Sequence, residues 1–339
     1  MIKTSEETNK AYRKTILEKD EIVMALRGEI GLARLIDDNL VGANITRGLA
    51  RISPETKVVL PEFLLWELRS PQFRADLIRR VGGSALQEIS LTELRKVRTL
   101  LPPLLEQKKI AQILSTWDKA ISVTEKLLAN SQRQKKALMQ QLLTGNKRLL
   151  DENGVRFNGK WEKKLLSDVA DVYQPKTISQ SMMSDSGYPV YGANGVIGFY
   201  QEFNHETEQI AVTCRGSTCG IVNWTQAKSW ITGNAMVINT DNYSYVSKKF
   251  LFYTLNGSDL KYLISGSGQP QITGNIKTHI INLPCIEEQQ KIATVLSAAD
   301  AEIYTLEKKL ACLRDEKKAL MQQLLTGKRR VKVDEAVAE

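Results

Sequence analysis

The feature that most constrains this chain is an internal duplication. Leu101-Pro102-Pro103-Leu104-Leu105-Glu106-Gln107-Lys108-Lys109-Ile110-Ala111 returns as Leu283-Pro284-Cys285-Ile286-Glu287-Glu288-Gln289-Gln290-Lys291-Ile292-Ala293, an offset of 283 − 101 = 182 residues. The same offset carries Leu114 onto Leu296, Ser115 onto Ser297 and Asp118 onto Asp300. It then carries Lys135 through Gly145 onto Lys317 through Gly327 without a change. Each copy reads as a helix. Proline precedes its start, where a missing N–H costs little, and glycine stands at its end, where a left-handed residue closes the last turn.

The apolar positions step alternately by four and three, the period of a coiled coil. In the first copy the seam is Ile110, Leu114, Trp117, Ile121, Thr124, Leu128, Ser131, Lys135, Leu138 and Leu142. In the second it is Ile292, Leu296, Ala299, Ile303, Leu306, Leu310, Leu313, Lys317, Leu320 and Leu324. About 40 residues at 1.5 Å each make a rod of about 60 Å. Each helix supplies the stripe the other lacks, so an intramolecular pair is expected. The polar seam residues (Thr124, Ser131, Lys135, Lys317) pack weakly and are expected to fix register.

What the helices leave over is two globular segments. The expected organisation is a first domain over 1–103, a first helix and linker over 104–150, a second domain over 151–284, and a second helix with a basic tail over 285–339. Both domains show a mixed α/β texture with one ground plan. Glu21 to Gly28 and Glu208 to Gly216 are each a short apolar strand ending in Arg-Gly, followed by Gly31 and Gly220. Gly42-Ala43-Asn44-Ile45 and Gly233-Asn234-Ala235-Met236 lead into further strands. Helical stretches follow, Pro61 to Arg80 with Phe63, Leu64, Leu65, Trp66 and Leu68, and Ser247 to Ile264 with Phe250, Leu251, Phe252 and Leu255. A Gly/Ser/Gln loop then precedes each long helix, 82–90 and 266–273. Matching frames with divergent loops suit two surfaces that read different targets.

At 339 residues the chain has room for about two such cores. Its charge of +9, with a pI near 9.2, favours a polyanionic partner. No apolar run approaches the roughly 18–20 residues of a membrane span, and residues 1–7 do not resemble a signal peptide. Four cysteines and two histidines, His205 and His279, make neither a disulfide framework nor a zinc motif; buried free thiols are the expectation.

Catalytic motifs are hard to find. Asn282-Leu283-Pro284-Cys285 only approaches the Asn-Pro-Pro-aromatic string of an adenine methyltransferase, and it opens a helix. No phosphate loop supports ATP use. Glu55-Thr56-Lys57 with Asp37 or Asp38 could be read as a metal-dependent nuclease string, but Pro54 favours a turn; Ser217 has no paired histidine.

The order of domain, long helix, domain, long helix, with Leu-Pro-Pro-Leu-Leu-Glu-Gln and Leu-Met-Gln-Gln-Leu-Leu-Thr-Gly at the helix boundaries, resembles the specificity subunit of type I restriction–modification enzymes. Gly159-Lys160-Trp161-Glu162 with Leu165, Leu166, Val169 and Ala170 resembles the opening of that family's target-recognition domain. Tyr191-Gly192-Ala193-Asn194-Gly195 and Arg215-Gly216 fit as well. The resemblance implies a mixed α+β fold, with two α/β target-recognition domains in inverted orientation joined by two long antiparallel coiled-coil helices in a pseudo-two-fold arrangement. It implies one half of a bipartite double-stranded DNA site per domain, with the rod fixing the unread gap. Two modification subunits would bring S-adenosylmethionine, and two restriction subunits ATP and Mg. The chain itself would bind no cofactor or metal, catalyse nothing, and work in the cytoplasm.

Trp161 precedes Arg215 by 215 − 161 = 54 positions, whereas only 26 residues precede Arg27. The first domain is therefore expected to lack its Trp-Glu opening and its first helix and strand. The residues expected at DNA are Arg27, Arg215, Ser217, Thr218, Asn234, Gln269, Gln271, Asn275 and Lys277. Arg, Asn and Gln pair bidentately with base edges, while Lys, Ser and Thr more often meet phosphates. Tyr191 and Asn194 fit either that surface or a core. Lys135, Lys136, Lys317 and Lys318 suit subunit docking, phosphate contact or plain solvation. Two other classes stay open at this point: a protein-binding adapter with little salt-dependent DNA affinity, and a stand-alone nuclease dependent on Glu55.

Overall fold

The computed structural model describes residues 5–82, 87–266 and 269–332. It forms two compact units, Met1–Leu127 with Leu306–Glu339, and Leu128–Thr305.

The first unit opens with α1 (Glu6–Ala11) and a 3-10 turn, Arg13–Thr15. A three-stranded antiparallel sheet follows: β1 (Ile22–Ala25), β2 (Ala33–Leu35) and β3 (Leu49–Ile52), with β1 central. Ile22 and Met24 are fully buried on one face of β1, as period-two alternation requires. Helices α2 (Pro61–Leu68), α3 (Pro71–Arg79) and α4 (Leu91–Leu94) complete the domain. The helical stretch expected from Pro61 to Arg80 is thus two helices. Pro71 disfavours helical backbone in the residue before it, and Ser70 is extended (φ −67°, ψ 147°), its Oγ accepting from Phe73 N at 3.1 Å to start α3. The long helix α5 (Leu104–Leu142) begins here.

The second unit contains β4 (Glu162–Leu165), α6 (Leu166–Val169), β5 (Asp171–Tyr173), β6 (Tyr188–Tyr191), β7 (Val196–Tyr200), β8 (Ile210–Thr213), β9 (Val222–Trp224), β10 (Trp230–Ile231), β11 (Ala235–Asn239), α7 (Lys248–Gly257), β12 (Ile280–Leu283) and the start of α8 (Ile286–Leu324). Its main sheet runs β5-β11-β8-β9, all antiparallel, and β12 pairs with β4. The helix expected to reach Ile264 stops at Gly257. A 3-10 turn, Lys261–Leu263, succeeds it, started by Asp259, whose Oδ1 accepts from Lys261 N at 3.0 Å.

Within each unit the two long helices run antiparallel, and each unit uses the duplication in the same way. Ile110, Leu114 and Leu324 close one apolar core with Phe63 and Trp66; Ile292, Leu296 and Leu142 close the other with Phe250 and Tyr253. Every seam position is buried or half-buried. The polar ones bond instead of packing. Thr124 Oγ1 donates to Ala120 O at 2.8 Å, Ser131 Oγ to Glu302 at 3.0 Å, Lys135 pairs with Asp300, and Lys317 pairs with Asp118. Gly145 and Gly327 end the two copies in left-handed backbone (φ +73° and +69°), a conformation that favours glycine.

Each domain is fastened to its helix start by one glutamine. Gln107 accepts from Leu60 N and donates to the carbonyls of Val58 and Pro102, at 2.8, 3.0 and 2.8 Å. Gln289 does the same with Ser247 N, Tyr245 O and Pro284 O, at 2.8, 3.1 and 2.8 Å. The glutamate before each glutamine holds an arginine. Glu288 takes Arg148 bidentately at 2.5 and 2.6 Å and accepts from Trp161 Nε1 at 3.1 Å, while Glu106 takes Arg330 at 2.6–2.9 Å. Arg330 holds the Glu106 carboxyl below the usual carboxylate range.

Candidate nucleic-acid interface

Each sheet presents its Arg-Gly turn at the end of a central strand, and a second segment zips onto it. In the second domain, Ile272 N donates to Cys214 O at 3.0 Å and Gly216 N to Pro270 O at 3.1 Å, while Ser265 and Gln271 exchange two backbone bonds of 2.9 Å. Cys214 N also donates to Asn234 O at 3.1 Å. Five of the expected contact residues, Arg215, Ser217, Thr218, Gln269 and Gln271, therefore come together, with Asn234 adjoining. Arg215, Ser217, Gln269 and Gln271 are exposed; Thr218 and Asn234 are half-buried. Among the described residues no carboxylate pairs with Arg215.

The first domain repeats the device. Ile89 N donates to Leu26 O at 3.1 Å, and Gly82 and Glu88 exchange backbone bonds of 3.0 Å. Arg27 differs in its partner, for its Nε donates to Glu88 Oε2 at 2.5 Å. Glu88 stands where the second domain has Gln271, in a bridge with the arginine in both cases. Parts of the two loops expected to carry this surface, 83–86 and 267–268, lie outside the described residues.

Asn275 and Lys277 sit one turn further on, in the 3-10 segment Gly274–Thr278. Asn275 is committed locally: its Oδ1 accepts from Thr273 N and Oγ1, at 3.1 and 3.2 Å, and its Nδ2 donates to Leu263 O at 2.8 Å. Lys277 is exposed. Tyr191 belongs to the core, 7 % exposed, its hydroxyl accepting from Gln226 N at 3.1 Å. Both histidines are buried and shifted to lower pKa by that burial; His205 Nε2 meets the Tyr173 hydroxyl at 2.9 Å and His279 Nδ1 that of Tyr262 at 2.7 Å. Glu55 lies in a turn, its carbonyl accepting from Val58 N and Val59 N. No group of His, Cys, Asp or Glu among the described residues is arranged to hold a metal.

Sequence reasoning missed Glu106, Gln107, Glu288, Gln289, Arg148 and Arg330 as positioning residues. The signal was present, because the 182-residue offset carries Glu106 to Glu288, Gln107 to Gln289 and Arg148 to Arg330.

Two sheets thus carry matched Arg-Gly turns, each tied to a copy of the same helix. Over residues 2–130 and 158–312 the sequence matches the family described as the type I restriction modification DNA specificity domain, and the chain belongs to that family. It is 27% identical over 317 residues to the putative type I restriction enzyme MjaX specificity subunit of Methanocaldococcus jannaschii, covering 84% of this chain and 72% of that one. The MjaVIII specificity subunit of the same organism is 24% identical over 315 residues, covering 84% and 74%. In fold it resembles the S subunit of the type I restriction–modification system from M. genitalium, with a TM-score of 0.66 at 17% identity over 91% of this chain and 83% of that one. The family expected from the helix boundaries is met, as is the mixed fold with two recognition domains and two long helices. No helix among the described residues is long and apolar enough to cross a membrane.

Proposed function

We propose that this chain is the DNA-reading, non-catalytic subunit of a type I restriction–modification complex. It binds a bipartite double-stranded site, one half per domain, and directs partner subunits to methylate or cut. The observation that carries this reading is the paired Arg-Gly turn. The same backbone clasp recurs in both domains while the side chains around it differ, as two readers of different half-sites require. The net charge of +9 supports a polyanionic partner.

Arg215, Ser217, Gln269 and Gln271 would meet bases and phosphates from the second domain, with Thr218, Asn234 and Lys277 beside them. Arg27 would act from the first. Two modification subunits would supply S-adenosylmethionine chemistry, and two restriction subunits ATP- and Mg-dependent translocation and cutting, all in the cytoplasm. Exposed Lys136 and Lys318, identical in the two copies, suit the docking of like subunits.

Co-purified with a modification subunit, the chain should direct methylation to one bipartite sequence. Arg215→Ala should relax one half-site and leave the other unchanged; methylation indifferent to that substitution would refute the reading. Inserting whole heptads in both helices should lengthen the unread gap and preserve both half-sites.

A further inference from the structure

The main sheet of the second domain has two unlike ends. Strands β5 and β8 finish at the end that carries the Arg215 turn, and β9 and β11 start there. At the other end Asp171 opens β5, Glu206 and Glu208 precede β8, and Asp241 follows β11. The segments at the Arg215 end, 174–179, 192–195, 214–221, 232–234 and 264–273, contain no Asp or Glu, although 38 of the 339 residues of the chain are acidic. An end without carboxylates repels no phosphate.

Two further loops converge there on the turn Thr232-Gly233. The first, 174–178, follows β5. Gln174 Nε2 donates to Gly233 O at 3.2 Å, Gly233 N to Thr177 Oγ1 at 3.1 Å, and Trp230 Nε1 to Lys176 O at 3.2 Å. Ile178 is buried beneath it. The approach is close, for a Cβ at Gly233 would lie 2.7 Å from Thr177 Oγ1 and 2.9 Å from Pro175 O. The second loop is the turn between β6 and β7, closed by Gly192 N donating to Gly195 O at 2.9 Å. Thr232 N donates to Tyr191 O at 2.9 Å, and the Thr213 hydroxyl donates to Ala193 O. Each tethered loop holds out one exposed side chain. Among the described residues no hydrogen bond or ion pair engages the side chain of Lys176 or of Asn194.

We propose that Lys176 and Asn194 grip the phosphate backbone of the DNA, forming a positioning wall beside the base-reading residues of the Arg215 turn. The inference rests on the DNA reading above and extends it to two loops outside the Arg-Gly clasp. An ammonium on a flexible stem is a point charge, suited to a phosphate oxygen rather than to the pattern of a base edge. An amide N–H donates to the same kind of oxygen without adding charge. Because both loops are tied down on Thr232-Gly233, their contacts would set the register of the duplex while Arg215 and Gln271 discriminate its sequence.

The test titrates the full chain with fluorescein-labelled duplexes of several unrelated sequences over a range of KCl concentrations. Lys176→Ala should weaken binding about three- to tenfold at low salt, by the same factor on every duplex, and lower the slope of log affinity against log salt by about 0.9. Lys176→Arg should restore both. Asn194→Ala should weaken binding on every duplex and leave the slope unchanged, and wild-type affinity in that variant overturns the assignment of Asn194. A salt-dependent wild type whose slope survives Lys176→Ala overturns the inference and spares the DNA reading. A wild type whose binding ignores salt overturns both. A loss confined to one sequence makes Lys176 a reader of bases, and overturns the phosphate wall equally.

Discussion

Among the described residues the second domain leaves its turn arginine without a carboxylate partner, and the first neutralises its own. Arg215 faces Gln271 across a backbone bridge, whereas Arg27 faces Glu88 across the same bridge and is paired with it. The difference is one oxygen for one amide nitrogen, and it changes what the same backbone can attract. A frame held by main-chain bonds survives duplication, because any residue can make them. Side-chain charge at a framed position is free to drift, and the two copies have drifted apart.

The largest expected effect concerns the arginine clamps at the helix starts. Glu288 is fully buried, so Glu288→Ala should cost about 3–5 kcal/mol by stranding Arg148 and the Trp161 N–H. Glu106→Ala should cost clearly less, since Arg330 is 66 % exposed and water can replace the partner. Chemical unfolding followed by Trp161 fluorescence checks the first; equal losses would mean that exposure does not govern the clamp.

Next comes a pH dependence confined to the first unit. Burial pushes Glu67 up to about 7, against a small opposing effect of the Thr99 hydroxyl that donates to it at 2.7 Å. A carboxyl whose folded pKa is raised stabilises the fold fully below its unfolded value near 4.5, and that contribution is lost as pH climbs through about 7. The first unit should therefore lose on the order of 3 kcal/mol between pH 4 and 8 relative to Glu67→Gln, which should flatten the profile. Parallel profiles for the two proteins would count against it.

Gly31 and Gly220 occupy the same turn, both in left-handed backbone (φ +84° and +92°). A Cβ at Gly31 would lie 2.6 Å from Leu77 Cδ2, whereas at Gly220 the nearest atoms are 3.7 Å away or more. Both alanine variants should lose about 1 kcal/mol to backbone strain, and Gly31→Ala about 1–2 kcal/mol more to crowding. Thermal melts of the two variants measure that gap. The smallest effect is Glu88→Gln, which frees Arg27. Affinity for nonspecific duplex DNA should rise a few-fold, with the salt dependence steepened by about one phosphate; an unchanged salt slope would show that Arg27 does not reach the backbone of the duplex.

Much of this was legible because the repeat marks its own ends. Pro102 and Pro284 precede the helices, and Gly145 and Gly327 stop them. The paired Arg-Gly turns were legible for the same reason. The break between α2 and α3 was written in Ser70-Pro71, but the apolar run on both sides concealed it. The Glu106–Arg330 pair was not legible locally, since nothing near either residue says that positions so far apart in the chain will meet. Asn275 shows the opposite failure: a side chain of the right chemistry for bases is used up on its own turn.

The ion pairs along the seam draw their two charges from different copies of the repeat. Lys135 of the first copy holds Asp300 of the second, and Lys317 of the second holds Asp118 of the first. Neither copy can therefore be edited alone. A reversal of charge at Asp118 would be compensated by the matching reversal at Lys317, across the seam in the other copy. The duplicated segments are bound to inherit together, which is a reason for them to have stayed alike while the domains they carry diverged.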